Sequence, residues 1–272
     1  MQIIHSPKCL EYEFENHPES PQRVRLAAEY LRQRRYAFAQ AGECTEEDLL
    51  RVHTREHVDR IRWGSFFELD TPAAQYMYSY ARLAVGAAIA AAESESFSLM
   101  RPPGHHAGRD FNGGFSYFNN LAAAVAKLGR KTLIVDIDGH HGNGTQDIFF
   151  KDERVHYCSL HGTGFPGTGL TSGSGYFNNP FFGRVGDRSY LENLEALLAS
   201  VPESELVAVS AGFDAFAEDP VASLGLSRDC FRQIGQRIAS LQRPTFCVLE
   251  GGYHAEELGP NIHSFLQGLT GS

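Results

Sequence analysis

The sequence predicts an α/β fold: a single domain over residues 1–272, with a mostly parallel central sheet flanked by helices on both faces. Three observations predict it. Apolar runs of strand length recur at Thr132–Ile137, Val155–Leu160, Leu206–Ser210 and Thr245–Leu249. Segments of helical character separate them near Thr145–Phe150, Tyr190–Ser200 and Ser227–Leu241, and such alternation builds parallel sheets covered on both sides. Ionisable residues follow each run, and open α/β sheets bind ligands outside the carboxyl ends of their strands.

Two helical patterns come earlier. Pro21 to Gln40 follows Ser20, an N-cap residue with proline at the first helical position, and Pro72 to Ala92 follows Thr71 in the same way. A short strand at Phe97–Met100 runs into the turn Arg101-Pro102-Pro103-Gly104, and a helix over Asn119–Leu128 leads into Thr132–Ile137. Between Leu160 and Tyr190 the stretch HGTGFPGTGLTSGSGYFNNPFFG reads as one long loop. Loops of that length inside a domain are as a rule functional or disordered. No repeat, low-complexity tract or charged tail marks a domain boundary.

With 272 residues, 42% of them hydrophobic, the chain can bury a sizeable core. Its net charge of −9 argues against broad nucleic-acid binding, which leaves a basic footprint. MQIIHSPKCLEYEF has no charged region followed by an apolar core, so no signal peptide is expected. The apolar stretch Leu83–Ala92 is interrupted by Gly86 and is too short to span a bilayer, so no membrane partner is expected. Five scattered cysteines without a CxxC pair form neither a disulfide framework nor a zinc knuckle. The expected location is cytoplasmic.

Residues 135–144, VDIDGHHGNG, put two carboxylates and two adjacent imidazoles at the end of a strand that reads as buried. Buried charges are costly unless paired or bound to a metal. Asp138 and His140 are two apart, so at an extended strand end their side chains project to the same side. Asp214, after the run Leu206–Ser210, can close a two-carboxylate, one-imidazole site. Three protein ligands and an open position describe a catalytic zinc site rather than a structural one. Taken singly, each residue has a plainer role as a turn or packing residue; their convergence favours the metal.

His105 and His106 follow the stiff turn Pro102-Pro103-Gly104. A neutral histidine beside an activated water can act as general base and then as acid to a leaving amine. It needs a partner on its other ring nitrogen, and Asp136 and Asn143 are the candidates. Tyr253, after Gly251-Gly252, can donate a hydrogen bond to an oxyanion. His141 has no role in this reading.

Together, HPESPQR (17–23), RPPGHHA (101–107), GGFSYFNN (113–120), VDIDGHHGNGTQDIF (135–149), SLHGTGFPGTG (159–169), AGFDAFAEDP (211–220) and LEGGY (249–253) span most of the chain. In that order they resemble the zinc-dependent histone deacetylase and acetylpolyamine amidohydrolase family, closest to its class II and bacterial branch. The resemblance implies an arginase/deacetylase-like fold and one zinc ion held by Asp138, His140 and Asp214. It makes His106 the general base and acid, His105 a second imidazole oriented by Asp136, and Tyr253 the group that polarises the scissile carbonyl. Asn143 stands where class I members carry an aspartate, so it adds no charge beside the base.

The same resemblance makes Gly114, Phe115 and Phe165 the walls of a channel for the acyl-lysine arm. Asp70 becomes the rim residue for substrate amides, and Arg23 lines a product path. It implies a structural potassium near Asp136, Asp138, His140, Ser159 and Leu160. Val221 stands where a polyamine-selective branch places a glutamate, which favours an acyl-lysine peptide or protein, or a neutral acyl amide, over an acetylated polyamine. Few residues lie between Trp63 and Asp70, where some relatives carry a dimer-forming insertion, so no oligomeric state follows. The alternatives are an acetylpolyamine deacetylase, a two-manganese arginase-like ureohydrolase and a non-catalytic acyl-lysine binder. Against the ureohydrolase, Gly139, Ser210 and Gly212 supply no second set of bridging carboxylates.

Overall fold

The computed structural model describes residues 1–271. Its eight strands form one sheet in which every pairing is parallel. They are β1 (Ile3–Ile4), β2 (Phe38–Ala39), β3 (Phe97–Ser98), β4 (Thr132–Asp136), β5 (Val155–Gly162), β6 (Tyr176–Phe181), β7 (Leu206–Ala211) and β8 (Thr245–Leu249). The order across the sheet is β2-β1-β3-β8-β7-β4-β5-β6. β4, β7 and β8 are buried at every residue, which is why they read as continuous apolar runs rather than alternating ones.

The two-residue period of a strand divides the core into two layers. Leu133 and Val135 of β4 pack with α1 (Pro21–Gln33), α7 (Gly186–Ser200), α8 (Arg228–Ala239) and α9 (Ala255–Thr270). Ile134 faces the other way, toward α3 (Arg55–Trp63), α4 (Met77–Glu93) and α5 (Asn120–Leu128). Short helices α2 (Glu46–Leu50) and α6 (Asn143–Phe149) complete the set. Among the described residues no helix is long and apolar enough to cross a membrane.

Several boundaries differ from the sequence expectation, each for a local reason. The first long helix ends at Gln33, because Arg35 turns left-handed (φ 63°) and the Tyr36 N–H closes back on the Leu31 carbonyl. The released Phe38-Ala39 becomes β2, paired with β1. The second begins at Met77 rather than Pro72, since the Thr71 hydroxyl is engaged with the Phe115 N–H and Asp70. The strand expected over Phe97–Met100 forms only at Phe97-Ser98. The stretch read as one long loop contains edge strand β6, in register with β5 from Tyr157↔Tyr176 to Gly162↔Phe181.

The sequence expectation had no counterpart for α9, which carries Gly259-Pro260 within it. A side chain at Gly259 would press on Ala27 and Tyr30, and one at Gly268 on the Arg232 carbonyl, so these small residues let α9 lie close to α1 and α8.

Candidate active site

Asp136 is the last residue of β4; Asp138 and His140 follow it, and Asp214 follows the end of β7. Ligand atoms of Asp138, His140 and Asp214 all lie within 4.8 Å of one another. His140 Nδ1 is 3.1 Å from Asp138 Oδ1 and 2.9 Å from Asp214 Oδ2. Despite that approach, Asp214 Oδ2 is buried without a well-formed hydrogen bond, as expected where donors face a common point rather than each other. Backbone N–H groups hold the other carboxylate oxygens: Gly139 to Asp214 Oδ1 (2.6 Å) and Gly251 to Asp138 Oδ2 (2.8 Å).

The electrostatics of this cluster suit a cation. Burial, and then the nearby Asp138, push the Asp214 carboxyl up to about 7. Burial also opposes charge on His140, but Asp214 and Asp138 outweigh it and raise the imidazole to about 11. Burial likewise opposes ionisation of Asp138, yet His105 and His140 hold its carboxyl well below the usual range. A Cβ at Gly251 would lie 2.5 Å from Asp214 Oδ2 and 2.6 Å from Asp138 Oδ2. Only glycine leaves the two carboxylates room there. Two oxygen donors and one nitrogen donor fit a divalent metal.

The histidine pair arrives on the turn after β3. Arg101, fully buried, anchors that turn with five hydrogen bonds to Glu19, Cys9 and Tyr12. The buried Glu250 carboxylate, pushed up to about 7 by burial, accepts the Gly104 and His105 N–H groups at 2.6 and 3.0 Å. His105 Nδ1 is 3.1 Å from Asp136 Oδ2, and His106 Nδ1 is 2.7 Å from Asn143 Oδ1. These environments drive two adjacent rings apart. Burial opposes charge on His105, but Asp138 and Asp136 prevail and raise it to about 10. His106 is held far below its ordinary value by burial, His105 and His140.

Aromatic rings surround this pair. The Phe165 ring is 5.1 Å from His106 and 6.1 Å from His140, and the Phe115 ring is 5.6 Å from Tyr253. Gly114, at φ 53°, passes so close that a Cβ would lie 2.2 Å from the His106 ring. The Arg23 guanidinium sits 4.5 Å above the Tyr253 ring and donates to the Gly252 and Glu250 carbonyls. Tyr253 is within electrostatic reach of Asp214 and Asp138, and burial holds its phenol well above the ordinary value. Asp70 Oδ1 accepts the Gly114 N–H at 3.0 Å, so this carboxylate also shapes the loop that walls His106. Val221 is 39% exposed. Ser159 is registered opposite Asp136 on β5, with Leu160 next to it.

The structure therefore brings Asp136, Asp138, His140, Asn143, Asp214, His105, His106 and Tyr253 to one end of the sheet. Sequence reasoning missed several of their supports. The Tyr157 hydroxyl donates to Asp136 Oδ2 and accepts the Gly142 N–H, both at 2.9 Å. In the sequence it is only an aromatic in a strand. Glu19, which joins Arg101 to Arg23, stands in the quoted HPESPQR but carried no assigned role. His141 bonds Thr168 Oγ1 (2.8 Å) and Gln146 Oε1 (2.9 Å), tying α6 to the loop that carries Phe165.

The profile of the histone deacetylase domain matches residues 17–269. The chain belongs to the histone deacetylase family. It is similar to a probable deacetylase of Methanothermobacter thermautotrophicus, 38% identical with 100% of this chain and 91% of that protein covered. The acetylpolyamine amidohydrolase of Mycoplana ramosa is 38% identical over 67% of this chain and 59% of its own length. Among solved structures, the HDA15 HD domain superposes with a TM-score of 0.92 at 34% identity, covering 99% of this chain and 89% of that one. This deacetylase is a hydrolytic enzyme with the arginase/deacetylase-like α/β fold.

Proposed function

We propose that residues 1–272 work as one catalytic unit, a zinc-dependent amidohydrolase that removes acetyl or other acyl groups from the side-chain amine of lysine in proteins or peptides. The observation that carries this reading is the meeting of a two-carboxylate, one-imidazole triad, its carboxylates buried, with an Asn143-bonded His106 that burial and its neighbouring imidazoles hold well below its ordinary value. Zinc held by Asp138, His140 and Asp214 supplies Lewis-acid polarisation of the carbonyl and acidifies water.

The chain's own residues do the rest. His106 keeps its proton on Nδ1, bonded to the Asn143 oxygen, and offers Nε2 as the base. Asp136 orients His105, and the departing amine takes its proton from this histidine pair. Tyr253 donates its phenolic hydrogen to the oxyanion, and Phe115 and Phe165 flank the acyl arm. Arg23 lines the product path, and Asp70 Oδ2, without a hydrogen-bond partner among the described residues, is available to substrate amides. A structural potassium near Asp136, Asp138, His140, Ser159 and Leu160 is part of the same reading, supported by the Asp136↔Ser159 register. Five free, buried cysteines support a reducing, cytoplasmic setting.

Val221 favours acyl-lysine or a neutral acyl amide over acetylated polyamines, because an apolar rim residue offers a second ammonium no counter-charge. Relatives named acetylpolyamine amidohydrolases keep the polyamine reading as the alternative. A hydrolysis panel of acyl-lysine peptides and acetylpolyamines across acyl lengths, with elemental analysis, tests the proposal. Turnover of acyl-lysine with one zinc per chain is expected. Turnover of acetylpolyamines alone would overturn the substrate assignment, and two manganese ions per chain the zinc assignment.

A further inference from the structure

Asp219 lies between Asp214 and Val221 and is only 8% exposed. Its carboxylate accepts four backbone N–H groups from two separate segments. Oδ2 takes those of Tyr253 (2.6 Å) and His254 (3.1 Å); Oδ1 takes those of Val221 (2.9 Å) and Ala222 (3.3 Å). Hydrogen bonds to an ionised acceptor are roughly twice as strong as neutral ones.

The segment so held has no regular structure of its own. β8 ends at Leu249 and α9 begins at Ala255. The residue before Tyr253 is Gly252 at φ 118°, a conformation L side chains rarely adopt, so the peptide entering Tyr253 turns on an unusually permissive joint. Arg23 and Phe115 pack against the Tyr253 ring. Asp219 is what bonds the Tyr253 N–H.

We propose that Asp219 is a positioning residue: its carboxylate clamps the backbone of Tyr253 to the rim segment bearing Val221, so that phenol and rim are held as one unit. This rests on the reading of Tyr253 as the oxyanion donor. Asparagine cannot replace the clamp, because its amide nitrogen would point N–H at N–H on one of the two segments. Glutamate keeps the charge but moves both oxygens by a methylene.

The test compares metal-loaded wild type, Asp219→Asn, Tyr253→Phe and the double variant on an acetyl-lysine reporter peptide. Asp219→Asn is expected to lower kcat by about tenfold to a hundredfold while KM stays within about twofold, as for a catalytic group displaced by a fraction of an ångström. The double variant is expected to have a kcat no lower than Tyr253→Phe, because the clamp reaches the reaction step through that phenol. A near-normal kcat in Asp219→Asn, a loss confined to KM, or losses that multiply in the double variant would overturn the proposal. If Asp219→Asn shows no cooperative unfolding transition, Asp219→Glu takes its place with the same expectations. Normal turnover by Tyr253→Phe removes the oxyanion assignment and the clamp's role with it. Impaired Tyr253→Phe beside unimpaired Asp219→Asn removes the clamp's role alone.

Discussion

His106 Nδ1 donates to Asn143 Oδ1 at 2.7 Å, so the proposed base leans on a neutral amide rather than on a carboxylate. Burial, His105 and His140 already hold His106 well below its ordinary value. An aspartate at 143 adds a negative charge beside the ring, favours the imidazolium and raises the His106 pKa. Because the base must be neutral to accept a proton, the acid limb of kcat/KM in Asn143→Asp is expected at higher pH than in wild type. A pH–rate profile checks this; superimposable limbs would remove His106 as the base.

The close approach of Gly251 to both carboxylates makes it a sensitive probe of the proposed zinc site. Its Cβ would stand within 2.6 Å of both Asp138 Oδ2 and Asp214 Oδ2. Gly251→Ala is therefore expected to weaken zinc binding by at least about tenfold, the scale on which supports of metal ligands act. Competition with a chromogenic chelator measures it. Wild-type affinity in this variant would show that Asp138 and Asp214 do not hold the ion between them.

The sheet and its chemistry-bearing end were legible in the sequence for one physical reason. β4, β7 and β8 are buried on both faces, so they appear as unbroken apolar runs, and the polar residues after them stand out. β6 was not legible, because as an edge strand its residues are only partly buried until Phe181 and carry Asn178, Asn179 and Pro180. α9 was hidden by Gly259-Pro260, whose use is close packing against α1. At the site, the residue types and spacings of the Asp138, His140 and Asp214 cluster were readable, whereas supports such as Asp219, Glu250 and Tyr157 were not. They act through backbone N–H groups or from neighbouring strands, and such contacts leave no spacing pattern.

His53 and His57 predict how stability responds to acid. His53 Nδ1 faces the Gly108 carbonyl (2.8 Å) and its Nε2 accepts the Asn119 N–H (3.0 Å), so a second ring proton would meet a donor. Burial and His57 push His53 down to about 3, and burial pushes His57 down to about 4. Both lie below the unfolded value near 6.5, so the unfolded chain binds more protons between those limits. The contribution of this pair is therefore full only above about pH 7 and falls as pH drops, by about 2 to 3 kcal/mol between pH 7 and 5.5, against the opposite contribution of the Asp214 and Glu250 carboxyls, which are pushed up to about 7. Urea unfolding across that range measures the slope. Relative to wild type, His53→Asn should lose less stability between pH 7 and 5.5, by about half of the pair's contribution, whatever its absolute stability; an unchanged slope would mean that His53 is not buried neutral.

Glu19 supports both halves of the site from beneath. Its carboxylate bonds Arg23 Nη1 at 3.0 Å and Arg101 Nε at 2.8 Å, and all three side chains are at most 3% exposed. Arg101 anchors the turn that carries His105 and His106, and Arg23 holds the carbonyls of Glu250 and Gly252 next to Tyr253. Removing the shared anion leaves two buried cations facing each other, which costs about 3–5 kcal/mol where one partner of a buried pair is lost. Glu19→Ala is expected to lose stability on that scale, whereas Glu19→Gln keeps two polar atoms for the arginines and should lose less. Chemical denaturation of the two variants gives the comparison. Equal stability of Glu19→Ala and wild type would show that the arginines are held by their carbonyl partners alone.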